Sequence, residues 1–106
     1  MSTYDDLAGM LMRTDAIQTV LDSLKSEPVA LLFHIYRESE RTGSGVPDHR
    51  IPLTGYLRDV ALRALLGAGL IERTAGGKLS IYTYRPTALG LEYCRKLESE
   101  GWKPGA

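Results

Sequence analysis

The side chains with the most chemical reach in this chain are its arginines. Between residues 49 and 85 stand Arg50, Arg58, Arg63, Arg73, Lys78 and Arg85 against Asp59 and Glu72, a local charge of +4 in a 106-residue chain whose net charge is zero. Residues 1–48 carry eight acids and four bases, a charge of −4, and residues 86–106 carry three of each. Guanidinium groups bind anions, and the planar fork of arginine engages a phosphate or a base edge through two parallel hydrogen bonds. A basic segment of this kind suits a polyanionic partner. The same charges equally serve to solubilise an otherwise apolar stretch.

Other reactive residue types are scarce. One cysteine, Cys94, and two histidines, His34 and His49, offer no nucleophile-and-base arrangement. No Walker, nucleophile-elbow or dinucleotide-binding glycine pattern occurs, and the clustered glycines have turn and cap explanations. His34 has no Cys or His partner at ligand spacing, so it reads as a surface or satisfied histidine, and no metal or other cofactor is expected. An enzyme is not expected. Cys94 is either a redox sensor or a half-buried structural residue; Arg95 and Lys96 beside it point elsewhere on a helix, which favours the structural role.

Hydrophobic content of 43% and charged content of 25% are ordinary for one soluble globular domain with a modest core. The longest apolar run, Val29 to Phe33, is far too short to span a bilayer, and Asp5 and Asp6 stand where a signal peptide would carry positive charge. A cytoplasmic protein without a membrane partner is expected.

The elements that must position the arginines are legible between Leu53 and Leu91. Leu53, Leu57, Val60, Ala61, Ala64 and Leu65 recur at helical spacing, with Tyr56, Asp59 and Arg63 on the opposite side. Gly69 suits the left-handed position past the helix end, with Leu70 folding back onto Leu65. The period then becomes extended: 70–74 and 78–84 are rich in β-branched and aromatic residues around Ala75-Gly76-Gly77, a turn of hairpin length. Pro86 ends the second strand, and Thr87 is a good N-cap for a last helix.

This run, "LLGAGLIER…GGKLSIYTYRPTALGLEYCRKL", resembles the second half of a winged helix-turn-helix domain of the MarR/PadR-like regulator type. The matching features are Leu65, the Gly69-Leu70-Ile71 step, the Gly76-Gly77 wing tip and Tyr84-x-x-Thr87-x-x-Gly90. The resemblance implies an α+β, mostly α, fold: a winged helix-turn-helix with extra N- and C-terminal helices and a two-stranded wing. Residues 1–106 then form one domain, with a helical dimerisation segment over 1–25, helix-turn-helix core and wing over 28–85, and a last helix over 87–102. It further implies sequence-selective binding of double-stranded DNA by a small dimeric transcriptional regulator. Arg50, Thr54, Tyr56, Arg58 and Arg63 would lie on or beside the reading helix, and Arg73 and Lys78 would flank the wing tip. The alternative is a winged-helix module whose helix and wing bind protein.

The flanking segments leave choices open. Ser2 to Asp6 opens with an N-cap candidate and acids. Leu7, Met10, Thr14, Ile17, Leu21 and Leu24 then follow three-four spacing, the seam of a two-helix contact. That seam packs either on a partner or on the chain's own core, in one helix or, with Thr14-Asp15 as a cap, in two. The resemblance favours a homodimer formed by Leu7, Met10, Ile17, Leu21 and Leu24 with the Leu89, Tyr93 and Leu97 face of the last helix. Pro28 to Arg41 reads as a helix burying Val29, Leu32, Phe33 and Tyr36, with a solvated end at Arg37, Glu38, Glu40 and Arg41. Between Thr42 and Pro52 there is room for about one helical turn, or else an exposed loop. Gly90 costs its helix roughly 1 kcal/mol against alanine, a cost that either a close approach or simple drift explains. Gly101 is a plausible C-cap, and Trp102 either anchors on a partner or caps its own core.

Overall fold

A computed structural model describes residues 2–12, 26–51, 55–76 and 81–103. Their order is α1 (Thr3–Met12), α2 (Ser26–Thr42), β1 (Val46–Pro47), a 3-10 turn (Asp48–Arg50), α3 (Gly55–Gly67), β2 (Ile71–Ala75), β3 (Tyr82–Pro86) and α4 (Ala88–Ser99). The described fold is α+β and mostly helical, and no described helix is long and apolar enough to cross a membrane. Ile17, Leu21, Leu24, Leu53, Thr54 and Lys78 lie outside the described residues, as does the choice between one N-terminal helix and two.

Helix α2 is the centre of the core. Its buried residues are Pro28, Val29, Leu31, Leu32, Phe33, Ile35 and Tyr36, a wider arc than the sequence stripe because α1, α3, α4 and β3 all pack around it. An apolar arc that wide marks a helix enclosed by neighbours rather than lying on a surface. The polar end behaves as expected: Arg41 donates to both carboxylate oxygens of Glu38, at 2.8 and 3.0 Å. The helix stops where the Thr42 hydroxyl donates to the Glu38 carbonyl at 2.9 Å and Gly43 N donates to that of Ser39 at 2.8 Å.

The sheet has three antiparallel strands in the order β1-β3-β2. Arg73 lies opposite Tyr84 and Ala75 opposite Tyr82, while Val46 pairs with Tyr84 across the other edge of β3. The hairpin thus matches the change of period after Gly69. Pro86 closes β3 as its last residue, opposite Ile71, rather than standing just beyond it. Neither expectation for Thr42–Pro52 included a strand. β1 has two residues, too few to show alternation, and it forms because β3 offers an unpaired edge and Val46 a fully apolar side chain to bury. The single turn that follows is 3-10, closed by Ile51 N donating to the Asp48 carbonyl at 3.2 Å.

The corner between α3 and β2 is a Schellman cap. Gly69 sits at φ 75°, its N–H donates to Leu66, and Leu70 N donates back to Leu65. The same turn receives α4. Thr87 N donates to the Leu70 carbonyl at 3.0 Å, the Thr87 hydroxyl donates to the Gly69 carbonyl at 2.6 Å, and the hydroxyl oxygen itself accepts from Gly90 N at 3.1 Å. A Cβ on Gly90 would stand 2.1 Å from the Leu70 oxygen, so the close-approach explanation of this glycine is the one the structure bears out.

This contact also sets the rotation of α4. The helix buries Gly90, Cys94 and Leu97, one residue round from the expected Leu89/Tyr93/Leu97 stripe, and leaves Leu89 36% exposed and Tyr93 half-buried. On α1 the buried residues are Thr3, Leu7, Ala8 and Leu11, with Met10 half-buried. Leu7 and Leu97 therefore correct the expected dimer set: both are fully enclosed by the chain's own core and have no surface to give a partner. The two helices are tied at their ends. Thr3 N donates to Glu100 Oε1 at 3.2 Å and the Thr3 hydroxyl donates to Oε2, which holds the Glu100 carboxyl below its ordinary range. Trp102 follows a second Schellman turn at Gly101, stacks on Tyr4 at 5.8 Å and meets Phe33 edge-on at 5.3 Å. It caps its own core.

Candidate functional site

Helix α3 buries Val60, Ala61, Leu62, Ala64 and Leu65 and turns Asp59 and Arg63 to solvent. Residues 58, 59, 62, 63 and 66 share one helical face, because positions three and four apart stack one above another. That face forms one wall of a groove of about 410 Å³. The hairpin lines the groove with Arg73, Ile81, Tyr82 and Tyr84, and Asp48 from the 3-10 turn lines it as well. Asp48 also positions the hairpin: its Oδ2 accepts from Ile81 N at 3.3 Å.

Three guanidinium groups therefore converge on the groove, facing two carboxylates. Arg58 Nε is buried without a hydrogen-bond partner among the described residues and stands 3.8 Å from Asp59 Oδ1, an ion pair too long for a hydrogen bond. The Arg73 guanidinium carbon lies over the Tyr82 ring, 4.4 Å from its centre, a cation–π contact that holds the guanidinium on the hairpin surface. Tyr82 in turn packs against Tyr84, ring centres 6.4 Å apart. Burial pushes the Tyr84 phenol above its ordinary value, opposed by the charge of Arg73 and reinforced by that of Asp48. The rim is apolar on the hairpin side, where Ile81 is 73% exposed.

Of the seven residues expected to bind DNA, Arg58, Arg63 and Arg73 meet in this groove. Arg50 does not: it lies exposed on the 3-10 turn and lines a smaller hollow of about 290 Å³ with His49, Glu38 and Thr42. Tyr56 is in the first turn of α3 by its backbone, and its side chain, like Thr54 and Lys78, lies outside the described residues. Sequence reasoning missed Asp48, Leu62, Leu66, Ile81 and Tyr82. The separation of 33 positions between Asp48 and Ile81 carries no spacing signal for their contact, whereas the apolar-aromatic pair Ile81-Tyr82 on a polar hairpin was visible.

Cys94 belongs to the core and not to the groove. It is fully buried, and burial together with the nearby Glu98 charge pushes its thiol up to about 12. The Glu98 carboxylate accepts from the Tyr36 hydroxyl at 2.6 Å, tying α2 to α4 and raising that phenol to about 12. Since the thiolate is the reactive species, native protein is expected to leave an aromatic disulfide reagent unconsumed at pH 8 over an hour. One thiol per chain should react within seconds in 6 M guanidinium, roughly the denaturant strength that unfolds even hyperstable domains. Stoichiometric reaction of the native protein would place Cys94 at the surface.

Comparison of the chain with protein-family models, with curated proteins and with solved structures gives no match in any of the three.

Proposed function

We propose that this chain is a winged helix-turn-helix protein that binds duplex DNA sequence-selectively, acting as a small dimeric transcriptional regulator of the MarR/PadR-like type. The observation that carries the reading is the convergence of Arg58 and Arg63 from α3 with Arg73 from the hairpin on one open groove. The order helix, strand, turn, helix, hairpin, helix agrees with it, the helix before the reading helix being reduced to the single 3-10 turn at Asp48–Arg50. In this reading α3 enters the major groove and the hairpin is a wing resting on the backbone. Phosphate neutralisation supplies most of the affinity, and the groove arginines provide it locally although the chain as a whole is neutral. The proposed dimer uses Met10, Ile17, Leu21, Leu24, Leu89 and Tyr93, since Leu7 and Leu97 are taken by the core. A monomer in sedimentation equilibrium at high micromolar concentration would remove the dimer from this proposal.

A gel-shift titration against random duplex at two salt concentrations tests the DNA reading. Binding is expected to weaken with salt, with a slope of about −0.9 per phosphate contacted. Arg73→Ala and Lys78→Ala should each flatten that slope by about one unit while weakening all sequences alike. The exposed Ile81 and the Leu62 and Leu66 floor favour a second reading, a protein-docking groove. Affinity for duplex no tighter than about 10⁻⁴ M at physiological salt decides for it.

A further inference from the structure

Asp59 has little structural work to explain it. Its side chain is 60% exposed, it lies off the buried stripe of α3, and its ion pair is the 3.8 Å approach to its sequence neighbour Arg58. Although Arg58 Nε is itself buried, the Asp59 carboxylate is largely in water, and a pair of that length then contributes little to stability. Yet the residue stands in the basic groove, where a carboxylate repels phosphate and lowers affinity for every duplex. Asp48, the other acid there, is accounted for by its hydrogen bond to Ile81 N.

One turn along the same face, Arg63 is exposed and makes no ion pair or hydrogen bond among the described residues. Asp59 and Arg63 thus present an acceptor and a bidentate donor side by side, both exposed, with Asp59 held only by its long approach to Arg58. In the major groove a carboxylate accepts from the cytosine N4 amino group, and arginine donates to guanine O6 and N7. Four residues of helix rise about 6 Å, and successive bases are about 3.4 Å apart, so the two side chains reach base pairs no more than about two steps apart.

We propose that Asp59 is a base-reading residue that selects a C·G pair within two steps of the guanine taken by Arg63. The proposal rests on the reading that α3 enters duplex DNA. It gives the acid a specific role: it lowers binding to random duplex and returns that loss where the cytosine is present, which widens the ratio between specific and random sites.

Selection of duplexes from a randomised pool by wild type, Asp59→Ala and Asp59→Asn, followed by anisotropy titrations, tests it. Wild type should enrich a cytosine within two steps of an enriched guanine, and replacing that C·G pair should weaken it about tenfold. Asp59→Ala should respond less than about twofold to the same replacement and bind random duplex more tightly. Asp59→Asn should move the preference at that position from cytosine to adenine, whose N6 and N7 an amide engages together. If both variants keep the wild-type preference at every position and tighten all duplexes equally, Asp59 is only a source of repulsion, and the proposal fails while DNA binding stands. If wild type enriches nothing and binds random duplex no tighter than about 10⁻⁴ M, the DNA reading fails first and takes the proposal with it.

Discussion

Gly90→Ala is expected to lower the free energy of unfolding by about 3 kcal/mol, the upper part of the range for overpacking. Helix propensity alone argues the other way, because alanine gains roughly 1 kcal/mol over glycine inside a helix. Geometry decides the sign. The added Cβ would stand 2.1 Å from the Leu70 carbonyl oxygen and 3.3 Å from Pro86 Cβ, and the first of these is backbone that cannot swing aside. That carbonyl already accepts from Thr87 N, and Thr87 links it to Gly69 and Gly90, so moving α4 away loosens three hydrogen bonds together. Gly9 is the internal control: it is an exposed position in α1 with nothing within 4 Å of its would-be Cβ. Gly9→Ala should stabilise the protein by about 0.5–1 kcal/mol. Urea midpoints that shift in opposite directions for the two variants match this account. A stabilising Gly90→Ala would refute the close approach.

The Gly69 corner shows what local sequence reading reaches in this chain. A helix stop, a cap hydrophobe, a hairpin turn and an N-cap each act within a few residues, and Gly69, Leu70 and Thr87 take the expected positions. The rotation of α4 was not legible, because Gly90 and Cys94 carry little weight in a count of apolar side chains although both are buried. The helix is fixed by a glycine touching a carbonyl, which no hydrophobic stripe records. β1 was missed for a related reason, since two residues become a strand only through the edge that β3 presents to them. The basic segment was visible as charge. Which of its arginines meet depends on the β2–β3 register and on Asp48 reaching Ile81, and so Arg50 was grouped with residues from which the fold separates it.

Arg63→Glu should abolish DNA binding while leaving the fold intact. The residue is exposed on the face of α3 opposite the core, so its replacement disturbs no packing, and the unfolding midpoint is expected to stay within about 0.5 kcal/mol of wild type. Two effects combine at the groove. A bidentate contact worth about 1–3 kcal/mol of discrimination is removed. A positive charge also becomes negative beside Asp59 and Asp48, so the groove goes from three cations against two anions to two against three. In a dimer the loss applies at both half-sites, and about 2 kcal/mol per subunit becomes roughly a thousandfold. Arg50→Glu, a reversal of the same size outside the groove, is the control and should weaken binding far less. Gel shifts of both variants on one duplex, at one salt concentration, compare them directly. Equal losses would show that net charge alone governs binding, whereas a large loss confined to Arg63 assigns the reading face to α3.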